Sequence, residues 1–363
     1  MVRYLQPATQ IRWLLLIVFC LAGCDVSDMQ KAETQKVDTQ KAETPNTETS
    51  VHLSGPTMGT WYNVKVISEA GIDQEALTEK VEAVLSDING LMSTYDPESE
   101  LSRFNQLPIN TPMELSPDTV AVLKMALDLS VQTAGAFDVT VGPVVNLWGF
   151  GPDGRLKNKP SEMAINKALA QVGYKALVWH SDNQMSKSKP VYVDLSAIAK
   201  GFAVDKVAAL LREQGYSRFL VDIGGELLAG DEKAPGQYWK VAVEQPDAHQ
   251  RAIQKVISLR RMGVATSGDY RNFYEFEGRR YSHTIDPRTG NPVAHTLASV
   301  SVLHSSVAYA DGLATALMVL GVEKGYDLAS ELGIAAYFIF KTSSGFEIKA
   351  TDGFLNYISG VDV

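Results

Sequence analysis

The two cysteines stand at positions 20 and 24, and none follows in a chain of 363 residues. Whatever folds beyond residue 24 does so without a disulfide framework, a thiolate zinc site or a catalytic cysteine. Burial alone must hold it. The composition permits this: 45% of residues are apolar and 21% charged, ordinary values for a globular protein. The length suits one large domain or two small ones. Charge narrows the partners. The 33 basic and 42 acidic residues give a net charge of −9, the wrong sign for non-specific nucleic-acid binding or for basic-patch adhesion to an anionic membrane.

Arg3 and Arg12 precede the apolar run Trp13–Gly23. As a helix this run spans only about 16 Å, against a bilayer core of roughly 30 Å, so it reads as a secretory signal over residues 1–23. An ordinary signal peptide or a buried helix is the plainer alternative. The ending Leu21-Ala22-Gly23-Cys24 resembles the lipobox of bacterial lipoproteins, which implies lipid on Cys24. Asp25 resembles the signal for retention at the inner membrane. Residues 30–44 then write one pentapeptide three times, Gln-Lys-Ala-Glu-Thr with one Gln-Lys-Val-Asp-Thr copy. With no apolar face to bury, residues 24–50 are expected to be a lipidated cysteine and a flexible tether.

The remaining residues, 51–363, carry element signals throughout. Trp61, Tyr62, Val64 and Val66 mark a strand at 60–67. Leu77, Val81, Val84, Leu85, Ile88 and Leu91 form a helical stripe behind Asp73. Ser116-Pro117 opens a second helix and Ser161 a third, running to about Val172. A fourth is expected over 196–214, ended by Gly215. Strands are expected at 218–223, 238–244 and 255–265, a hairpin at 272–285, a strand at 298–303, helices at 306–320 and up to Leu332, and strands at 335–341 and 345–350. Helices mixed with adjacent strands predict an α+β fold, with mixed or antiparallel sheets and packed helices in one body that has room for two lobes.

Six clusters carry chemistry. Gly135–Gly142 puts Asp138 beside a glycine turn, and Val193–Gly201 runs from a strand into a helix start, which suits an anion. Asp222-Ile-Gly-Gly225 ends a strand on two glycines that permit close backbone approach. Ser267–Tyr274 is rich in polar and aromatic groups, and Ser282–Gly290 combines His283 with an acid, an arginine and a turn. Asp311 and Thr315 stand at i and i+4 on one helix, half of a hard-cation site. Each has a plainer reading: Asp194 as a helix cap, Gly224-Gly225 as a turn, Asp286–Gly290 as a hairpin loop, His283 as a structural histidine, Asp311 and Thr315 as solvent-facing. An aspartate among Ala308, Ala310, Leu313, Ala314 and Leu317 nevertheless calls for a partner. No Gly-x-Gly-x-x-Gly fingerprint or Walker loop occurs.

Taken in order, with Met58-Gly59-Thr60, Met92–Tyr95 and Ser102–Asn105, these clusters resemble the ApbE family, the FAD:protein FMN transferases, over roughly residues 53–345. The resemblance implies that FAD is held by Met58, Tyr95, Ala136, Phe137, Asp138, Asp194, Lys200 and Ile285. It implies magnesium on the carbonyl of Ala197 and the side chains of Asp311 and Thr315. Some members have Thr or Ser in place of Ala197 and Asp in place of Ala314, so this metal site has fewer side-chain ligands. The implied reaction moves FMN from FAD to a threonine hydroxyl of a target protein and releases AMP, with His283 as the group that takes the proton. The implied acceptors are membrane flavoprotein subunits of the Nqr or Rnf type, met at the periplasmic face of the inner membrane. An FAD pyrophosphatase and a non-catalytic FAD-binding lipoprotein are the competing readings.

Overall fold

The structure is a computed structural model and describes residues 48–151, 159–246, 252–269, 273–276 and 279–358. The expected signal, lipidated Cys24, most of the tether, part of the 267–274 cluster and the tip of the 272–285 hairpin lie outside the described residues.

Strands alternate where one side chain in two can be buried. Eight of them build the main sheet: β1 Thr49–Thr57, β2 Thr60–Ser68, β3 Arg218–Ile223, β4 Glu226–Ala229, β5 Met262–Gly268, β6 Leu297–His304, β7 Ala335–Thr342 and β8 Gly345–Ala350. Spatial order follows chain order, and every neighbouring pair is antiparallel. The sheet is a meander with long excursions between its strands. β1 begins at Thr49, so the last two residues of the expected tether, Thr49 and Ser50, belong to the main sheet.

Helices form where a cap meets an apolar stripe. Asp73 accepts from Ala76 N and opens α1, Gln74–Met92. Ser99 opens α2, Glu100–Gln106, and Ser116 with Pro117 behind it opens α3, Pro117–Gln132. The short α4, Gly142–Leu147, precedes α5, Glu162–Leu169, capped by Ser161. Then come α6, Ala199–Glu213, and, beyond β6, α7, Val307–Leu320, and α8, Val322–Glu331.

Both faces of the sheet are covered, which makes β6 an almost unbroken buried run. On one face Ala265, Val300, Val302, Ala336 and Phe338 meet the helices. On the other, Val264, Leu303, Tyr337 and Ile339 meet a separate hairpin, Trp239–Glu244 paired with Ile253–Leu259. α7 is apolar on nearly every side and is accordingly buried on nearly every side. A third cluster around Val144, Trp148, Ile165 and Tyr281 stands apart as a smaller satellite core.

The strand read across 255–265 is two strands, because Arg261 turns the chain at φ +47° between the hairpin and the main sheet. Its apolar pattern runs through the turn because both strands are half-buried. The helix read from 196 starts at Ala199, because Asp194 Oδ1 accepts from Ser196 N and Oγ and ties residues 194–196 into a turn.

Candidate active site

α6 begins without a cap of its own: Ile198 makes no side-chain bond to the helix. The missing acceptor comes from α7. Asp311 Oδ2 accepts from Gly201 N at 3.1 Å, the third residue of α6. The exchange is mutual. Asp205 of α6 accepts from Val307 N at 2.9 Å, Ala308 N at 3.1 Å and Ser306 Oγ at 2.9 Å, closing the start of α7. Gly201 makes this approach possible, since a Cβ there would lie 2.4 Å from Val307 O.

Lys200, one residue before Gly201, places its Nζ 3.5 Å from Asp311 Oδ2 and 3.4 Å from Glu226 Oε1. Burial alone would lower the Lys200 ammonium, but the two carboxylates outweigh it and hold it above its usual range. Burial raises both carboxyls despite that ammonium, Glu226 to about 8. Glu226 Oε2 is buried with no hydrogen-bond partner. A lone ammonium thus serves two desolvated carboxylates, and the cluster has room for further positive charge.

This cluster forms one wall of a cavity of about 500 Å³. The loop after α3 supplies Ala136, Phe137 and Asp138, the turn before α6 supplies Asp194 and Ala197, and β5 supplies Thr266 and Ser267. Asp311, Thr315 and Val319 come from α7, and His283, Thr284 and Ile285 from the loop between the hairpin and Pro287. Thr315 Oγ1 lies 3.2 Å from Ser267 Oγ. The size is that of a small-molecule site.

Asp138 both lines the cavity and holds its wall: Oδ1 accepts from Thr140 N and Oγ1, Oδ2 from Tyr174 N. Ala136 and Phe137 are buried, and Tyr95 stands exposed on the rim. The His283 ring meets Phe150 edge-on, centroids 6.3 Å apart. Behind it Trp148, Tyr281, Tyr274 and Phe150 stack in succession at 5.3–5.4 Å. Trp148 Nε1 donates to Gly290 O at 2.8 Å, so this aromatic wall is pinned to the far end of the histidine loop.

Of the residues nominated for FAD, metal or catalysis, all but Met58 line this cavity. Met58 instead takes φ +48° in the tight turn joining β1 to β2, packed against the main core, and Thr60 of that turn abuts Gly224 on the cavity wall. Asp311 is buried and paired, not solvent-facing. Asp194 caps a turn, not α6. Glu226 escaped the sequence reading; the signal was an acid placed directly after the Gly224-Gly225 turn. Among the described residues no group of three or more His, Cys, Asp or Glu side chains is arranged to hold a metal. At the wall the Asp311 carboxylate and the Thr315 and Ser267 hydroxyls stand beside Ala197. Such a set, completed by ligand phosphates and water, fits a hard divalent cation.

The sequence profile of the ApbE family matches residues 58–338. The FAD:protein FMN transferase of Vibrio cholerae is 46% identical over 311 residues, covering 85% of this chain and 93% of that protein. That of Haemophilus influenzae is 45% identical over 312 residues, covering 84% and 90%. Among solved structures, the flavin transferase ApbE from Vibrio cholerae superposes with a TM-score of 0.80 at 44% identity, over 85% of this chain and 99% of that one. The apo flavinyl transferase ApbE of Pseudomonas stutzeri gives 0.79 at 41% identity, over 85% and 97%. With the profile spanning most of its length and relatives this similar, the chain belongs to the ApbE family.

Proposed function

We propose that the protein transfers the FMN moiety of FAD to a threonine hydroxyl of another protein and releases AMP, in a magnesium-dependent reaction. The observation that carries this reading is the cavity wall on which Lys200, Asp311 and Thr315 meet the start of α6, with His283 on the same cavity. The names of the similar transferases agree with it.

The acceptor oxygen attacks the FMN-side phosphorus, a new O–P bond forms, and the pyrophosphate P–O bond breaks with AMP as leaving group. The barrier is accumulated negative charge. Lys200, at the positive end of the α6 dipole, faces that charge and orients the pyrophosphate. Magnesium, held by the Ala197 carbonyl, Asp311 and Thr315, would supply Lewis-acid neutralisation. Ala136, Phe137, Ile285 and Asp194 line the place left for the flavin nucleotide, with Tyr95 at its mouth and Met58 behind its margin. His283 takes the hydroxyl proton as the general base.

Residues 13–24 and the repeat behind them support a lipid anchor on Cys24 and a tether. On that basis the protein works from the periplasmic face of the inner membrane on flavoprotein subunits of the Nqr or Rnf type, where anchoring raises local concentration.

The test incubates the protein with FAD, magnesium and an acceptor domain, following acceptor mass, in-gel flavin fluorescence and AMP. The expected result is a gain of one flavin mononucleotidyl group, lost when the acceptor threonine becomes alanine. AMP without labelling would replace the reading with an FAD pyrophosphatase. FAD binding with neither product would leave a carrier.

A further inference from the structure

A protein acceptor needs its own way into a cavity that FAD fills. A second cavity, about 360 Å³, lies between the main sheet and the Trp239–Glu244 hairpin strand. Gly224 and Thr266 line both cavities, so the two share a wall. The second is apolar within, where Leu220, Leu227, Val241 and Val243 line it, and polar at Asp222.

Two features of this groove suit an extended peptide. The first is a strand edge. Trp239–Glu244 pairs with Ile253–Leu259 on one side only, and along Lys240–Val243 the other edge meets no strand among the described residues. All residues from Lys240 to Glu244 line the groove. An unpaired edge facing a cleft is a ready template for a further strand. At roughly 3.3 Å per residue, Lys240–Val243 offer about 13 Å of ladder.

The second feature is the shared wall itself. Gly224 and Gly225 take φ +66° and +106°, and Asp222 Oδ1 accepts from Gly225 N at 2.9 Å to hold the turn. A Cβ on Gly225 would meet nothing within 4 Å, so bare backbone faces open space there. Another chain can cross Gly225 without meeting a side chain, and at Gly224 it meets Thr60, which abuts that glycine.

We propose that the groove seats the acceptor. An extended segment of the target protein adds to the Lys240–Val243 edge through main-chain hydrogen bonds, and its hydroxyl-bearing residue crosses Gly224-Gly225 into the reaction cavity. This rests on the transferase reading above.

The test uses Ala242→Trp. Ala242 is exposed, lines the groove and is absent from the reaction cavity. Acceptor labelling gives kcat and KM, and flavin fluorescence gives FAD affinity. The expected result is an acceptor KM raised at least about tenfold, as for loss of one or two main-chain hydrogen bonds. FAD affinity and saturated kcat stay as in the parent, and Ala242→Ser behaves as the parent. An unchanged acceptor KM in folded Ala242→Trp overturns the proposal. Weakened FAD affinity also overturns it and gives the groove to the nucleotide. An unlabelled acceptor with the parent protein sinks the transferase reading first. Should Ala242→Trp fail to fold, Ala242→Cys replaces it, since the chain has no cysteine beyond position 24. It should cross-link to an acceptor carrying a cysteine near its threonine, above the parent background, and no cross-link overturns the proposal.

Discussion

Glu226 has one oxygen on Lys200 and another buried with no partner. Lys200 stands between Glu226 at 3.4 Å and Asp311 at 3.5 Å, so Glu226 shares an ammonium that would otherwise pair with Asp311 alone and compete with a divalent cation there. Glu226→Gln should therefore raise the magnesium concentration for half-maximal transfer, by about tenfold if the lost interaction is worth roughly 1.4 kcal/mol. Titrating magnesium in the transfer assay, and calorimetrically in the presence of FAD, checks this; an unchanged midpoint contradicts it. His283→Ala should lower transfer by about 10²–10⁴-fold, the usual scale for one general base, and leave FAD affinity intact. Full transfer in that variant would remove the histidine from the mechanism. At this scale the sequence was readable where type and spacing suffice: Asp311 and Thr315 one turn apart on a helix too apolar to leave an aspartate unpartnered. It was not readable for Glu226, whose partner is 26 residues away and joined only through the packing of β4 against α6.

Among elements, α6 and α7 exchange caps, and the exchange has a measurable strength. Asp205→Ala leaves three donors at the start of α7 without their acceptor, and should cost about 1–3 kcal/mol. Gly201→Ala pushes a methyl into Val307 O and should cost a similar amount or more through forced separation of the helices. Urea unfolding monitored by circular dichroism measures both. β2 carries a separate, pH-dependent term. Tyr62 packs on Gly55 of β1, its phenol donates to Glu82 at 3.0 Å, and burial with that carboxylate raises it to about 12. An unfolded phenol ionises near pH 10, so the folded state holds the proton more tightly. Its stabilisation is complete below about pH 10 and falls as pH rises toward 12; Tyr62→Phe should flatten that decline in Tm. Local signals found the caps at Asp73, Ser116 and Ser161, because a cap is a neighbour effect. They missed the true start of α6, because its acceptor sits on another helix.

For the molecule as a whole, the α+β class was legible in the mixture of helices with adjacent strands, while the choice between mixed and antiparallel sheet was left to the fold. That the main sheet runs in chain order was not, because about 150 residues separate β2 from β3 and nothing local says they will meet. The aromatic wall behind His283 was equally hidden, as Trp148 and Tyr281 become neighbours only after folding.

The mutual capping of α6 and α7 also sets an order of assembly. A chain emerging from its N-terminal end presents Lys200 and Gly201 more than a hundred residues before Asp311. Until α7 has arrived, the start of α6 has no acceptor, Lys200 has lost one of its two counter-charges, and one wall of the cavity is missing. Nascent or truncated chains ending before residue 307 should therefore show no FAD-dependent protection from proteolysis, whatever their length. Competence for nucleotide arrives in one late step, with roughly the last sixth of the chain.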